Sequence, residues 1–353
     1  MKRKTIAFIV IALMIIFIFS CIEAFVIKKT PEKADEVPAD RIVIGFSQLG
    51  AESDWRSANT ESMKNTFSIR NGYELIFEDG QQKQSNQITA IRTFIQQGVD
   101  YIVLAPVTET GWETVLWEAK DAEIPVIIVD RMVNVSDEKL FSCWVGSNFE
   151  MEGRKAAEWL KKFAEANEIA PGDLHIVNIQ GTIGASAQIG RTKGLADAAA
   201  SYGWDLMAEV PGEFTQAKGR EVMEELLKQY DNINVVYCEN DNEAFGAIEA
   251  IEAAGKTAGS DIKEGEIMVI SFDGVNEQAL EYVKQDKITC IVECNPLHGP
   301  RVEVLIDLLE EGKQPDKLSY VDGAIYCSGD WVNWISVEGK VYEVTVLTAT
   351  ETE

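Results

Sequence analysis

The sequence predicts an α/β fold built as two doubly wound, parallel-sheet lobes. Two observations carry this. Short unbroken apolar runs rich in β-branched residues, such as Ile42-Val43-Ile44 and Val126-Ile127-Ile128-Val129, alternate with longer amphipathic stretches. An unbroken run of that kind suits a strand buried on both faces, and strands alternating with helices mark a parallel sheet covered on both sides. The alternation also runs to about residue 130 and then restarts after Gly146, so there are two arrays rather than one.

In the first array, strand 42–46 leads through a polar loop to a helix over about 55–71, with Ser53 or Asp54 as its cap. Strand 74–78 and a helix over 85–97 follow; Ile88, Ile91, Phe94 and Ile95 form one stripe and Gly98 closes the helix. Strand 101–105, a helix over 111–122 and strand 126–129, ending in Asp130-Arg131, complete the array. The second array has helices over 151–166, 190–201, 216–229, 242–254, 277–284 and 299–311. Its strands are 174–179, 204–210, 234–238, 266–271 and 289–293. Residues 320–353 read as short strands or extended chain.

The 353 residues suffice for two lobes of ordinary size, and 46% hydrophobic content suits a substantial core. A net charge of −26 argues against nucleic-acid binding, which wants a basic face. The N-terminus differs in kind. Lys2-Arg3-Lys4 precedes an apolar run over 5–20 that ends in Ile18-Phe19-Ser20-Cys21. This reads as a signal peptide, residues 1–21, with Cys21 lipidated; an uncleaved membrane anchor is the alternative. Residues 22–40 form a tether, polar from Lys28 on. Both readings put the body outside the cytoplasm, held to a membrane. Of six cysteines, five remain after Cys21, an odd number with no Cys-x-x-Cys pair. Most read as small core hydrophobes, with one unassigned disulfide left open. The two histidines, His175 and His298, lie far apart, so neither a metal site nor a nucleophilic triad is expected. No phosphate-cradling loop is present: Gly181-Thr182-Ile183-Gly184 is not a dinucleotide fingerprint. No cofactor and no enzymatic activity are expected.

Open α/β sheets bind ligands at the carboxyl ends of their strands. The loop after the first strand offers Glu52, an indole at Trp55 and a guanidinium at Arg56. These suit a polyol, which presents an apolar ring face and many hydroxyls.

Several segments, in order, resemble the type I periplasmic sugar-binding proteins, the receptors of ribose- and galactose-type ABC importers. They are FSQLGAESDWR, EDGQQKQSNQITAIRTFIQQGVDYIVLAPV, EIPVIIVDR, NIQGTIGASAQIGRTKG, GEFTQAKGREVM, ENDNEAFGAIEAIEAAG and SFDG. The Glu-Ser-x-Trp-Arg loop and the run 79–84 are most similar to the galactofuranose-binding subgroup. The resemblance spans about residues 41–318, and residues 329–353 depart from it. It implies two lobes joined by a multi-strand hinge, crossed near Gly146-Ser147, Cys294 and residues 323–325. The lobes would be 41–146 plus 294–322, and 147–293 plus 323–353. It further implies a sugar clamp by Asp130 and Arg131, a helix-borne Arg191, a stacking Phe214, and Asn240 and Asp273 as ligands, each also suited to capping the following helix. Glu293 matches a polar hinge position. Arg56 replaces one aromatic of a family pair, which favours a furanose hexose over ribose, and Ala105 stands where ribose binders often have Asn, so one family contact is lost. The expected partners are a monosaccharide and an ABC permease, with membrane attachment through the lipid at Cys21 and the chain itself a monomer. A sugar-sensing receptor for a sensor kinase or chemotaxis system is the competing reading.

Overall fold

A computed structural model describes residues 41–348. The expected leader, Cys21 and the tether lie outside the described residues, as do residues 349–353.

The chain runs β1 (Ile42–Gln48), α1 (Asp54–Thr66), β2 (Tyr73–Asp79), α2 (Gln84–Gln97), β3 (Tyr101–Leu104), α3 (Glu113–Asp121), β4 (Val126–Val129) and β5 (Cys143–Ser147). It continues α4 (Phe149–Ala166), β6 (His175–Gln180), α5 (Ser186–Tyr202), β7 (Asp205–Pro211), α6 (Gln216–Gln229), β8 (Val235–Cys238), α7 (Asp241–Ala253), β9 (Met268–Asp273), α8 (Glu277–Lys284) and β10 (Cys290–Glu293). Then come α9 (Gly299–Glu310), β11 (Leu318–Val321), β12 (Ile325–Cys327), β13 (Trp334–Val337), β14 (Lys340–Glu343) and β15 (Thr345–Val346).

The strands form two large sheets, ordered β2-β1-β3-β4-β5-β11 and β7-β6-β8-β9-β10-β12-β15. All pairings within them are parallel except β10 with β12. Each sheet thus repeats one doubly wound order, with its topological switch between the first and third strands of the array. Ligands bind outside the carboxyl ends of such strands. The chain passes between the sheets three times: after β5, between β10 and β11, and between β11 and β12.

Strand alternation builds the core. In the first sheet Ile102, Leu104 and Ile128 face one apolar layer, while Val103, Ile127 and Val129 face the other. Both layers are covered by helices, which is why these runs are apolar without a break. Gly45 lets α2 approach: a Cβ there would lie 2.4 Å from the Phe94 ring.

Four details differ from the sequence pattern or extend it. Strand β5 (Cys-Trp-Val-Gly-Ser) carries no strand-like apolar run; its pairing with β4 and β11 makes it a strand. The departing C-terminal stretch forms a β13–β14 hairpin turned by Glu338 and Gly339, with φ of 51° and 81°. Its Ile335 and Val337 pack in the same apolar cluster as Trp159 and Phe163 of α4. Cys143, Cys238, Cys290, Cys294 and Cys327 are all buried free thiols, so the open disulfide is not formed among the described residues. His175 pairs through Nδ1 with Asp205 at 2.9 Å.

Candidate ligand-binding site

The carboxyl ends of the two sheets meet around a cavity of about 280 Å³. From the first lobe, β1 and the N-terminus of α1 bring Glu52, Trp55 and Arg56, and the end of β4 brings Asp130 and Arg131. From the second, α5 contributes Arg191, the turn after β7 Phe214, the end of β8 Asn240, and β9 Asp273. Nine of the ten candidate residues therefore surround one space. Glu293 stands apart: its Oε2 accepts from the Ala324 backbone N–H at 2.8 Å, between the strands that cross from lobe to lobe.

Local structure explains how each group is presented. Ser53 caps α1 by accepting from the Arg56 N–H at 3.2 Å, so Trp55 and Arg56 occupy its first turn. Trp55 donates from Nε1 to the Cys294 carbonyl at 2.6 Å, which fixes the indole as a wall. Arg191 depends on a close helix crossing. A Cβ on Gly153 of α4 would lie 2.7 Å from the Arg191 carbonyl, and one on Gly194 of α5 would lie 2.6 Å from Gly153. Asp130, Phe214 and Asp273 hold positive φ, 61°, 61° and 100°. Such backbone is uncommon in non-glycine residues and gathers at functional sites.

The cations and anions interlock. Arg56 Nη2 donates to Asp130 Oδ2 at 2.5 Å, and Arg131 donates to Glu52 and, at 2.9 Å, to the Val107 carbonyl. Arg191 pairs with Glu152 at 2.9 Å and Asp273 at 3.4 Å. Burial works against the charge on Asp130, but Arg56 and Arg131 hold its carboxyl below the usual range. Burial raises Asp273 well above that range despite Arg191, and raises Glu152 as well. Three guanidinium nitrogens, Arg56 Nε and Nη1 and Arg131 Nε, are buried without a protein acceptor, and Glu152 Oε1 is buried without a donor. Arg131 also lies 5.1 Å from the centroid of the Phe214 ring, so a cation and an aromatic face each other across the lobes.

Asn240 and Asp241 show how the second lobe holds its groups. Asn240 caps α7 by accepting from the Glu243 N–H at 2.8 Å, and donates to the Phe214 carbonyl at 3.1 Å. Asp241 accepts from Ser271 Oγ at 2.6 Å and the Gly274 N–H at 2.8 Å. Phe149 and Cys294 also line the cavity, and Glu152 lies behind Arg191; sequence reasoning missed all three. Phe149 opens the helix after the first lobe crossing, and Cys294 is the neighbour of Glu293, so position along the chain was the available signal. Among the described residues no group of His, Cys, Asp and Glu is placed to hold a metal ion, and no helix is long and apolar enough to cross a membrane.

Residues 44–298 match the periplasmic binding protein domain. The chain belongs to the periplasmic binding protein family. Galactofuranose-binding protein YtfQ of Escherichia coli K12 is 40% identical over 290 residues, 81% of this chain and 87% of its own. A solved structure from Mycobacterium smegmatis in complex with β-D-fucofuranose is 39% identical, with a TM-score of 0.76 over 81% of this chain and 91% of its own. The arabinose transporter's periplasmic component from Shewanella sp. ANA-3, bound to α- and β-L-arabinofuranose, is 40% identical, with a TM-score of 0.74 over 81% and 91%. Members of the family are sugar-binding receptors of ABC importers rather than enzymes, and they act outside the cytoplasm. The structure has their two-lobed, parallel-sheet architecture.

Proposed function

We propose that this family member captures a hexose in its furanose ring form, galactofuranose or a close analogue, between its lobes and delivers it to an ABC permease. One observation carries the reading: a cleft space lined from both lobes, with buried guanidinium N–H groups left without acceptors on one side and an aromatic ring and carboxylates on the other. Ring and hydroxyl oxygens would accept from Arg56 and Arg131. Hydroxyl hydrogens would go to Asp130 and Asp273, with Phe214 against the apolar ring face and Glu152 holding Arg191 from behind. Asn240 and Arg191 would complete the second-lobe side, and Glu52 would hold Arg131 in place. The three relatives above are described with furanose sugars, which supports the ring form.

The proposed lobes are 41–146 plus 294–322 and 147–293 plus 323–353, with Glu293 serving the hinge rather than the sugar. Lipidation at Cys21 would tether a monomer to the membrane face where the permease sits, and Cys21→Ser would then release it into the soluble fraction. Calorimetry with furanose-forming and pyranose-locked sugars tests the ligand: binding of D-galactose and D-fucose, and rejection of methyl pyranosides, is expected. Equal binding of the pyranosides would overturn the ring-form reading.

A further inference from the structure

Two residues that line the inner cavity, Glu52 and Arg131, also line a second space. On the far side of Glu52 and Arg131, a second space of about 680 Å³ opens between the lobes. The two spaces share that ion pair as their partition. Leu49, Gln82 and Val107 line the outer space from the first lobe, and Ile183 and Glu213 from the second. This is again a mixture of apolar surface and flexible hydrogen-bonding side chains, the kind of wall a sugar needs.

The backbone adds an independent observation. Gln81 and Gln82 hold consecutive positive φ values of 52° and 59°, and across the cleft Glu213 and Phe214 hold 59° and 61°. Paired left-handed conformations in non-glycine residues carry strain, and such strain persists where a site needs it. Gln82 is anchored by its N–H to the Leu49 carbonyl at 2.6 Å, and Glu213 by its N–H to the Gln180 carbonyl at 3.2 Å. Both side chains are left at the exposed lip of the outer space. Phe214, the second member of its pair, faces Arg131 at the partition.

We infer that the ligand class extends beyond a free monosaccharide to short glycosides: one furanose ring in the inner cavity and a second, glycosidically linked sugar unit in the outer space beside Gln82 and Glu213. The inference rests on the monosaccharide reading above. For a substituent to leave the inner ring the buried Glu52–Arg131 pair has to part, and its polar edge then supplies a partner for the bridging oxygen. Ile183, 55% exposed, and buried Val107 offer apolar surface to the second ring.

The test is calorimetry on the full chain purified in detergent, with D-galactose and a galactofuranosyl-galactose disaccharide as probes. The disaccharide is expected to bind within about tenfold of the monosaccharide. The double substitution of Gln82→Ala and Glu213→Ala should weaken the disaccharide by about tenfold, as two exposed contacts are lost, and leave D-galactose unchanged within about twofold. Both residues are exposed, so the variant's thermal midpoint should match the wild type. Wild-type binding of the disaccharide more than about a hundredfold weaker than D-galactose would overturn the outer subsite while leaving the monosaccharide reading intact. A double variant that loses both ligands equally would also overturn it. If neither probe binds the wild type, the monosaccharide reading itself falls and this inference falls with it.

Discussion

Arg131 concentrates the chemistry of the site in one side chain. It is 2% exposed, its guanidinium bridges Glu52 and the Val107 carbonyl, and its Nε has no protein acceptor. Replacing it with alanine removes a charge-assisted donor and leaves the buried Glu52 carboxylate with only the longer pair to Arg56, at 3.6 Å. Arg131→Ala should therefore weaken sugar binding by about 3 kcal/mol, roughly a hundredfold or more, measured by calorimetry. An unchanged affinity would remove Arg131 from the site. His298 makes a different prediction. It is fully buried edge-on to Trp55, 5.5 Å between centroids, with neither ring nitrogen hydrogen-bonded. Burial pulls its pKa down to about 4. The unfolded chain takes up this proton near pH 6.5 and the folded chain only near pH 4. The native state is thus unaffected above the upper value and loses stability as pH falls through the window, on the order of 3 kcal/mol in all. Urea midpoints at pH 7.5 and 4.5 should fall more for the wild type than for His298→Asn; parallel falls would show that His298 does not titrate in this way. Sequence made the strand ends legible, but not which side chain turns inward. Glu293 and Cys294 are adjacent, and in extended chain a shift of one residue exchanges the inward group for the outward one. Cys294 lines the cavity and Glu293 turns to Ala324.

At the scale of elements, the crossing of α4 and α5 matters most to the site. Gly153 and Gly194 let the two helix backbones touch, and that contact sets the depth of Arg191. An added methyl at Gly194 would meet backbone atoms of Gly153 and Arg154 at 2.6 and 2.7 Å, which no rotamer change relieves. Gly194→Ala should cost about 1–3 kcal/mol of stability through overpacking. It should also weaken sugar binding, because Arg191 moves away from Glu152 and Asp273. A thermal scan and a titration of the same sample check both; a stability loss with intact affinity would uncouple the crossing from the site. Elements with strong local patterns were legible from sequence: α2, β3 and β4 carry their periodicity in their own residues. Strand β5 and the β13–β14 hairpin were not. Trp144, Gly146 and Ser147 become strand through the neighbours β4 and β11, and the hairpin gains its place from Trp159 and Phe163, far away in the sequence.

If the lobes close on a ligand as proposed, the net charge of −26 makes bringing two acidic lobes together costly unless specific contacts offset the repulsion. The repeated strand order in the two arrays was legible as repetition in the sequence, but the contacts across the cleft join residues 54 to 222 positions apart and left no local trace. Asp54 is the central one. It lies in the first turn of α1, its N–H donates to Asn242 Oδ1 at 3.0 Å, and its carboxylate accepts from Asn242 and Asn276 at 3.3 and 2.5 Å. Asn276 caps α8 and Asn242 sits in the first turn of α7. A carboxylate from one lobe therefore docks on two helix N-termini of the other, where the partial positive charge of the helix favours it. None of these groups lines the cavity, so the contact acts on closure alone. Asp54→Ala should shift the ligand-free protein toward the open form, seen as a larger radius of gyration in X-ray scattering. It should also weaken sugar binding by about 1–2 kcal/mol, because the ligand must then supply the lost closing energy. Because Asn276→Ala also removes a helix cap, the single variants do not isolate the contact, and a double-mutant cycle does. If Asp54 and Asn276 act as one latch, the two losses of affinity will be strongly non-additive; if they add, closure is held by the sugar and not by this contact.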